Sequence, residues 1–186
     1  CGGDAIQIGH NHDHASHTFY IGGNTFYECG ENAIDIKQTH DFVISENECY
    51  GPFGVDPYYD DNQAIVLHHG PDSNQGCYNV WCLNNYIHDC RWGIVHSNCR
   101  TDAPNTHIGN LFVDIESAAV AHALSGTGLV RSYHNTMVNC GNGHRFTGNS
   151  SGPHAMAGNV VSNATQHTLL DNGPVGTSTA TNELYY

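Results

Sequence analysis

The chain has 186 residues, 39% of them hydrophobic, with 21 glycines, eight cysteines, fifteen histidines and only five lysines and arginines against eighteen acids. A formal charge of −13 argues against nucleic acid or an anionic membrane surface as partner and makes cations the natural counter-ligands. No apolar run reaches the roughly 18 residues that a membrane-spanning helix needs, so no membrane insertion is expected.

In chain order, the opening phrase "CGGDAIQIG" returns from Cys29 as "CGENAIDIK". A phrase led by asparagine begins at Asn24, Asn47, Asn85, Asn110, Asn135, Asn159 and Asn182, with gaps of 23, 38, 25, 25, 24 and 23 residues. Two places on stands an apolar residue (Phe26, Ile87, Phe112, Met137, Val161, Leu184), and five places on a small or apolar one (Cys29, Cys90, Ile115, Cys140, Ala164). A strand precedes each asparagine, as in "TFYIGG", "DFVISE", "YNVWCL" and "LVRSYH". Another follows the Cys position, as in "AIQI", "AIDI", "AIVL", "GIVH" and "AAVA". Alternation punctuated by Gly and Asn, with no helical period, reads as strands separated by turns. The long gap after Asn47 holds an insertion at about residues 50–62, "YGPFGVDPYYDD", which must loop out of the stack.

A period near 24 with no helix in it predicts an all-β fold, a right-handed single-stranded parallel β-helix of about seven coils, one domain over residues 1–186. A β-sandwich with Asn-rich turns is the alternative. The recurrent Asn is expected to take the left-handed bridge between strands and to bond its equivalents on neighbouring coils. In "AIDIK", Ile34 and Ile36 should point inward while Asp35 and Lys37 face solvent. Cys1, Cys29, Cys90 and Cys140 share one position, so a Cys1–Cys29 bridge is possible, as is Cys77–Cys99. Buried thiols are the expectation for Cys90 and Cys140. The even cysteine count, with sequons at Asn149 and Asn163, leads to an expected extracellular location.

Stacked asparagines of this kind resemble those of right-handed parallel β-helix proteins of the pectate-lyase-like superfamily. Locally, "ENAIDIK" and the next coil's "AIVLHHG" resemble alginate lyases and chondroitinase B type polysaccharide lyases. That resemblance implies Ca²⁺ on Glu31 and Asp35, with Asp56, Asp60 and Asp61 of the insertion folding back to complete the set. It makes Lys37 the base of a β-elimination on a uronic-acid polymer and puts His68, with His69 beside it, where the family has arginine. Independently, "HNHDH" sets His10, His12 and His14 on one face of an extended segment, a candidate for Zn²⁺ or Cu²⁺. His96 and His144 fall at inward positions, where histidines satisfied within the core are expected.

Finally, "NELYY" followed by "CGGDAIQI" reproduces "NTFYE" followed by "CGENAIDI". This match predicts head-to-tail self-association into a homopolymer, with Cys1, Ile6, Leu184 and Tyr186 at the joint. Two functional expectations therefore stand: an extracellular structural filament that binds cations, or a polysaccharide lyase or carbohydrate-binding β-helix.

Overall fold

Runs such as "AIDIK" and "DFVIS" are rich in branched and aromatic side chains that suit a pleated, buried surface better than a helix. The structure is a computed structural model, and it describes residues 3–9, 16–51, 63–68, 76–96, 103–122, 129–147, 154–171 and 179–186. All regular secondary structure among them is strand, and the strands pair in parallel. One sheet has seven strands, stacked in chain order from Tyr20–Gly22 through His40–Ser45, Tyr78–Leu83, Asn105–Ile108, Val130–Tyr133 and Ala155–Ala157 to Thr179–Thr181. The other has twelve strands and holds the remaining two segments of each rung. Parallel neighbours that follow chain order, one rung per repeat, make a β-solenoid, the parallel β-helix expected. Among the described residues the seven-stranded sheet gives seven rungs, of which the five inner ones have a neighbour on both sides, about five full turns against the seven coils expected.

The ladder explains why asparagine recurs. Asn47 Oδ1 accepts from both the backbone N and Nδ2 of Asn24, at 3.1 and 3.0 Å. The same pair of bonds runs from Asn47 to Asn85, Asn85 to Asn110, Asn110 to Asn135 and Asn135 to Asn159, all between 2.9 and 3.1 Å. Each Nδ2 also donates to a backbone carbonyl, as Asn110 does to Cys82 O at 2.9 Å. A short side chain with one acceptor and two donors is required, and only Asn provides that.

Three expectations about the ladder are corrected. Its last rung is Glu183, not Asn182: Asn159 N and Nδ2 donate to Glu183 Oε1 at 3.2 and 3.0 Å. The left-handed residue is the one before the ladder, namely Gly23, Glu46, Asn84, Gly109, His134, Gly158 and Asn182, with φ between 52° and 68°. Asn182 matches the repeat because a left-handed corner favours Asn for its own reason. Consequently Tyr185, not Leu184, pairs with Val161 at the inward position. The continuity read across the two termini is then short by one residue, and Leu184 and Tyr186 are exposed.

Inside, side chains form rows that run from rung to rung. Ile6, Ile34, Ile65, Ile94, Val120 and His144 make one; Ile8, Ile36, Leu67, His96, His122 and Phe146 make another. On the seven-stranded sheet Ile21, Ile44, Cys82, His107, Ser132 and Met156 make a third. Each buried Ile, Leu or Phe contributes about 1.5–3 kcal/mol through removal of its surface from water. Cys29, Cys49, Cys77, Cys82, Cys90 and Cys140 are buried thiols. Burial pushes Cys77 and Cys140 up to about 11, so they behave as small hydrophobes. The suggested bridges involve Cys1 and Cys99, which lie outside the described residues; their partners Cys29 and Cys77 are free thiols.

Candidate functional site

Alternation along Ile34–Lys37 sends Ile34 and Ile36 into the core and Asp35 to the outer face. Contrary to expectation, Asp35 does not reach solvent: it is 1% exposed. Its carboxylate is held from three rungs. Gln7 Nε2, on the rung before, donates to Oδ2 at 2.9 Å. Lys37 Nζ lies 2.7 Å from Oδ2, and His68 Nε2, on the rung after, 2.7 Å from Oδ1. Lys37 and His68 are direct register partners across two parallel strands, so one carboxylate fixes both heads side by side. Their side chains are 18% and 28% exposed and form the accessible rim of the cluster.

The electrostatics follow from this geometry. Burial works to raise the Asp35 pKa, but hydrogen bonds from His68, Lys37 and Gln7 outweigh it and hold the carboxyl well below the usual carboxylate range. An ionised carboxylate only accepts, so His68 carries its proton on Nε2. Asp4, bonded to the backbone N and Nδ2 of Asn32 at 3.1 and 2.9 Å, behaves oppositely. Burial raises its pKa, and the neighbouring negative Asp35 adds to this against the lowering bonds from Asn32.

Of the residues singled out in the sequence, Asp35, Lys37 and His68 come together. Glu31 is half-buried on the turn before Asp35. His69, Asp56, Asp60, Asp61, His10, His12, His14 and Cys1 lie outside the described residues. Among the described residues no three His, Cys, Asp or Glu side chains gather to hold a metal ion. Both carboxylate oxygens of Asp35 are engaged, Oδ2 by Gln7 and Lys37 and Oδ1 by His68. Gln7 and Asp4 were missed, although "AIQI" aligned on "AIDI" places Gln7 directly beside Asp35.

The surroundings are partly apolar. Beyond Asp35 the outward row continues as Val66, Val95 and Ala121, all buried, with Ala118 and Trp92 in the same cluster. Arg145 sits over the Trp92 ring at 5.2 Å. Elsewhere the outer aromatic rings stack on each other between rungs: Tyr27 on Tyr50 at 5.8 Å, and Tyr50 on His88 at 4.8 Å. Rings paired in this way cover one another's faces, so they staple rungs together and present edges.

No protein-family model, curated protein or solved structure matches this chain.

Proposed function

We propose that this parallel β-helix binds an acidic polysaccharide, a polymer of uronic acids, on its outer face at Lys37 and His68. The observation that carries the reading is the shared carboxylate: Asp35 orients two basic heads from adjacent rungs toward the same patch of surface. Strands in a sheet are about 4.8 Å apart, a spacing comparable with one pyranose unit, so a polymer lying across the rungs meets a basic head at successive sugars. Lys37 pairs with a sugar carboxylate, and His68 bonds a hydroxyl or a second carboxylate.

Binding fits the geometry better than β-elimination does. A base must be free to take the sugar's α-proton, and the Lys37 head is already engaged by the buried Asp35 carboxylate at 2.7 Å. Such polymers occur outside cells, which is where the protein is placed in this reading. End-to-end assembly is the competing proposal, and the one-residue shift at Glu183 removes its register support.

Affinity electrophoresis in polygalacturonate, alginate and chondroitin, with a neutral glucan as control, tests the reading. Retardation in at least one acidic polymer is expected, weakened about tenfold or more by Lys37→Gln or His68→Gln through loss of a charge-assisted bond. Absence of retardation in all three ends the proposal. Sedimentation of the same sample reads self-association, and ultraviolet-absorbing unsaturated products would replace binding by catalysis.

A further inference from the structure

Along the solenoid the interior changes character. In rungs two and three the inward rows are Ile34, Ile36, Ile44, Ile65, Leu67 and Val80, all fully buried. From rung four onward the same rows carry histidine: His96 and His107 on the fourth, His122 on the fifth, His144 and His154 on the sixth. All five are between 0% and 1% exposed. Five imidazoles in a buried interior are a large departure from the usual composition of a core.

Two of their contacts need an unprotonated ring nitrogen. His96 Nε2 and His107 Nε2 are 2.6 Å apart, so one ring donates the single proton between them and the other accepts it. A second proton there would set two N–H groups head to head. His144 Nε2 meets Ser132 Oγ at 2.7 Å, and His154 Nδ1 accepts from the backbone N of Val130 at 3.3 Å. His154 also stacks on Phe146 at 4.1 Å and lies 5.6 Å from His122.

We propose that rungs four to six are an acid-operated opening in the solenoid: their interior histidines take up protons, and these rungs part while rungs two and three stay closed. The described titratable groups facing the column from its strands are the five histidines and Cys82, the buried thiol that pairs with His107 in register. On the same segments Asp89, Asp114, Glu116 and Arg131 are exposed, and Arg145 packs on Trp92. Burial pushes His107 and His154 down to about 3 and His122 and His144 to about 4, and drives His96 well below its ordinary value; nearby histidines add to the lowering at His96, His107 and His154. A histidine with a depressed folded pKa costs nothing above about pH 6.5. Below that the opened chain takes up a proton that the closed one refuses, a tenfold change in opening per pH unit for each histidine. From pH 6.5 to 5 that is roughly thirtyfold per histidine. Solenoid rungs contact only their neighbours, so such a region can open without the rest.

Hydrogen exchange of the intact chain, resolved by segment and corrected for intrinsic rates, tests this at pH 7.5 and 5.0. Backbone segments 105–122 and 130–147 should lose protection by about a hundredfold or more at pH 5.0, with 34–50 and 78–88 changing by less than about threefold. Replacement of His144 and His154 by Val, the residue type on neighbouring rungs of their rows, should move the loss to lower pH. Equal protection at the two pH values, or an equal loss in every segment, overturns the proposal. If the double variant does not fold, the profile of the unmodified chain decides alone.

Discussion

Asn110 shows what a single ladder residue contributes. Its Oδ1 accepts two bonds from Asn85, and its Nδ2 serves both Asn135 Oδ1 and Cys82 O, all at 2.9 Å and all buried. Asn110→Ala removes four buried bonds at once and leaves Asn85 N without its acceptor, and an unsatisfied buried group costs about 1–3 kcal/mol. The variant should lose at least about 2 kcal/mol in chemical denaturation even if water enters the gap. Asn24→Ala, at the exposed first rung, should cost under about 1 kcal/mol because solvent replaces what is lost. Equal costs at the two positions would show that the ladder is not what holds the rungs.

At the scale of the element, corners decide how the strands stack. The long strands Tyr86–His96 and Leu111–His122 run through a corner as continuous segments, with a register shift between Ile115 and Ala118. Gly93 sits where these two rungs close on each other: a Cβ there would lie 2.3 Å from Ala119 O and 2.9 Å from the Phe112 ring. The ring can shift but the backbone carbonyl cannot, so Gly93→Ala should destabilise by about 1–3 kcal/mol through overpacking. Thermal unfolding checks this, and a melting temperature unchanged from the parent would contradict the packing described.

The stacking of elements was legible in the sequence, and what surrounds them was not. Asn47 to Asn159 could be placed because a buried amide ladder demands one residue type at each repeat. Asn182 misled because a left-handed corner selects the same residue for a different reason. Alternation told that Asp35 points outward but carries no information about what encloses it, so its burial came only from the structure. Lys37 and His68 were found together because parallel register turns equal position in the repeat into spatial contact. The histidine interior was half visible: His96 and His144 were placed inward, whereas His107, His122 and His154 were not singled out.

For the whole molecule these features combine into an asymmetric acid response. At pH 5 each interior histidine costs roughly 2 kcal/mol relative to neutral pH, and five approach the 5–15 kcal/mol that keeps a domain folded. Asp35 acts in a separate window. Its depressed pKa contributes stability above the ordinary carboxylate value, and this is lost only as pH falls through its lower folded value. Stability should therefore fall first below about pH 6.5, well before Asp35 titrates. Denaturant midpoints between pH 8 and 4 read this directly; a flat profile down to pH 5 would contradict it.

The central functional claim is that a uronic-acid polymer lies on the outer face where Asp35 presents Lys37 and His68. A structure of the protein with a uronate oligosaccharide bound tests it most directly. The account predicts a sugar carboxylate within hydrogen-bonding distance of Lys37 Nζ, with the Asp35 contacts to Lys37 and His68 retained. An oligosaccharide seated on another face, or one whose carboxylates reach neither Lys37 nor His68, would contradict it.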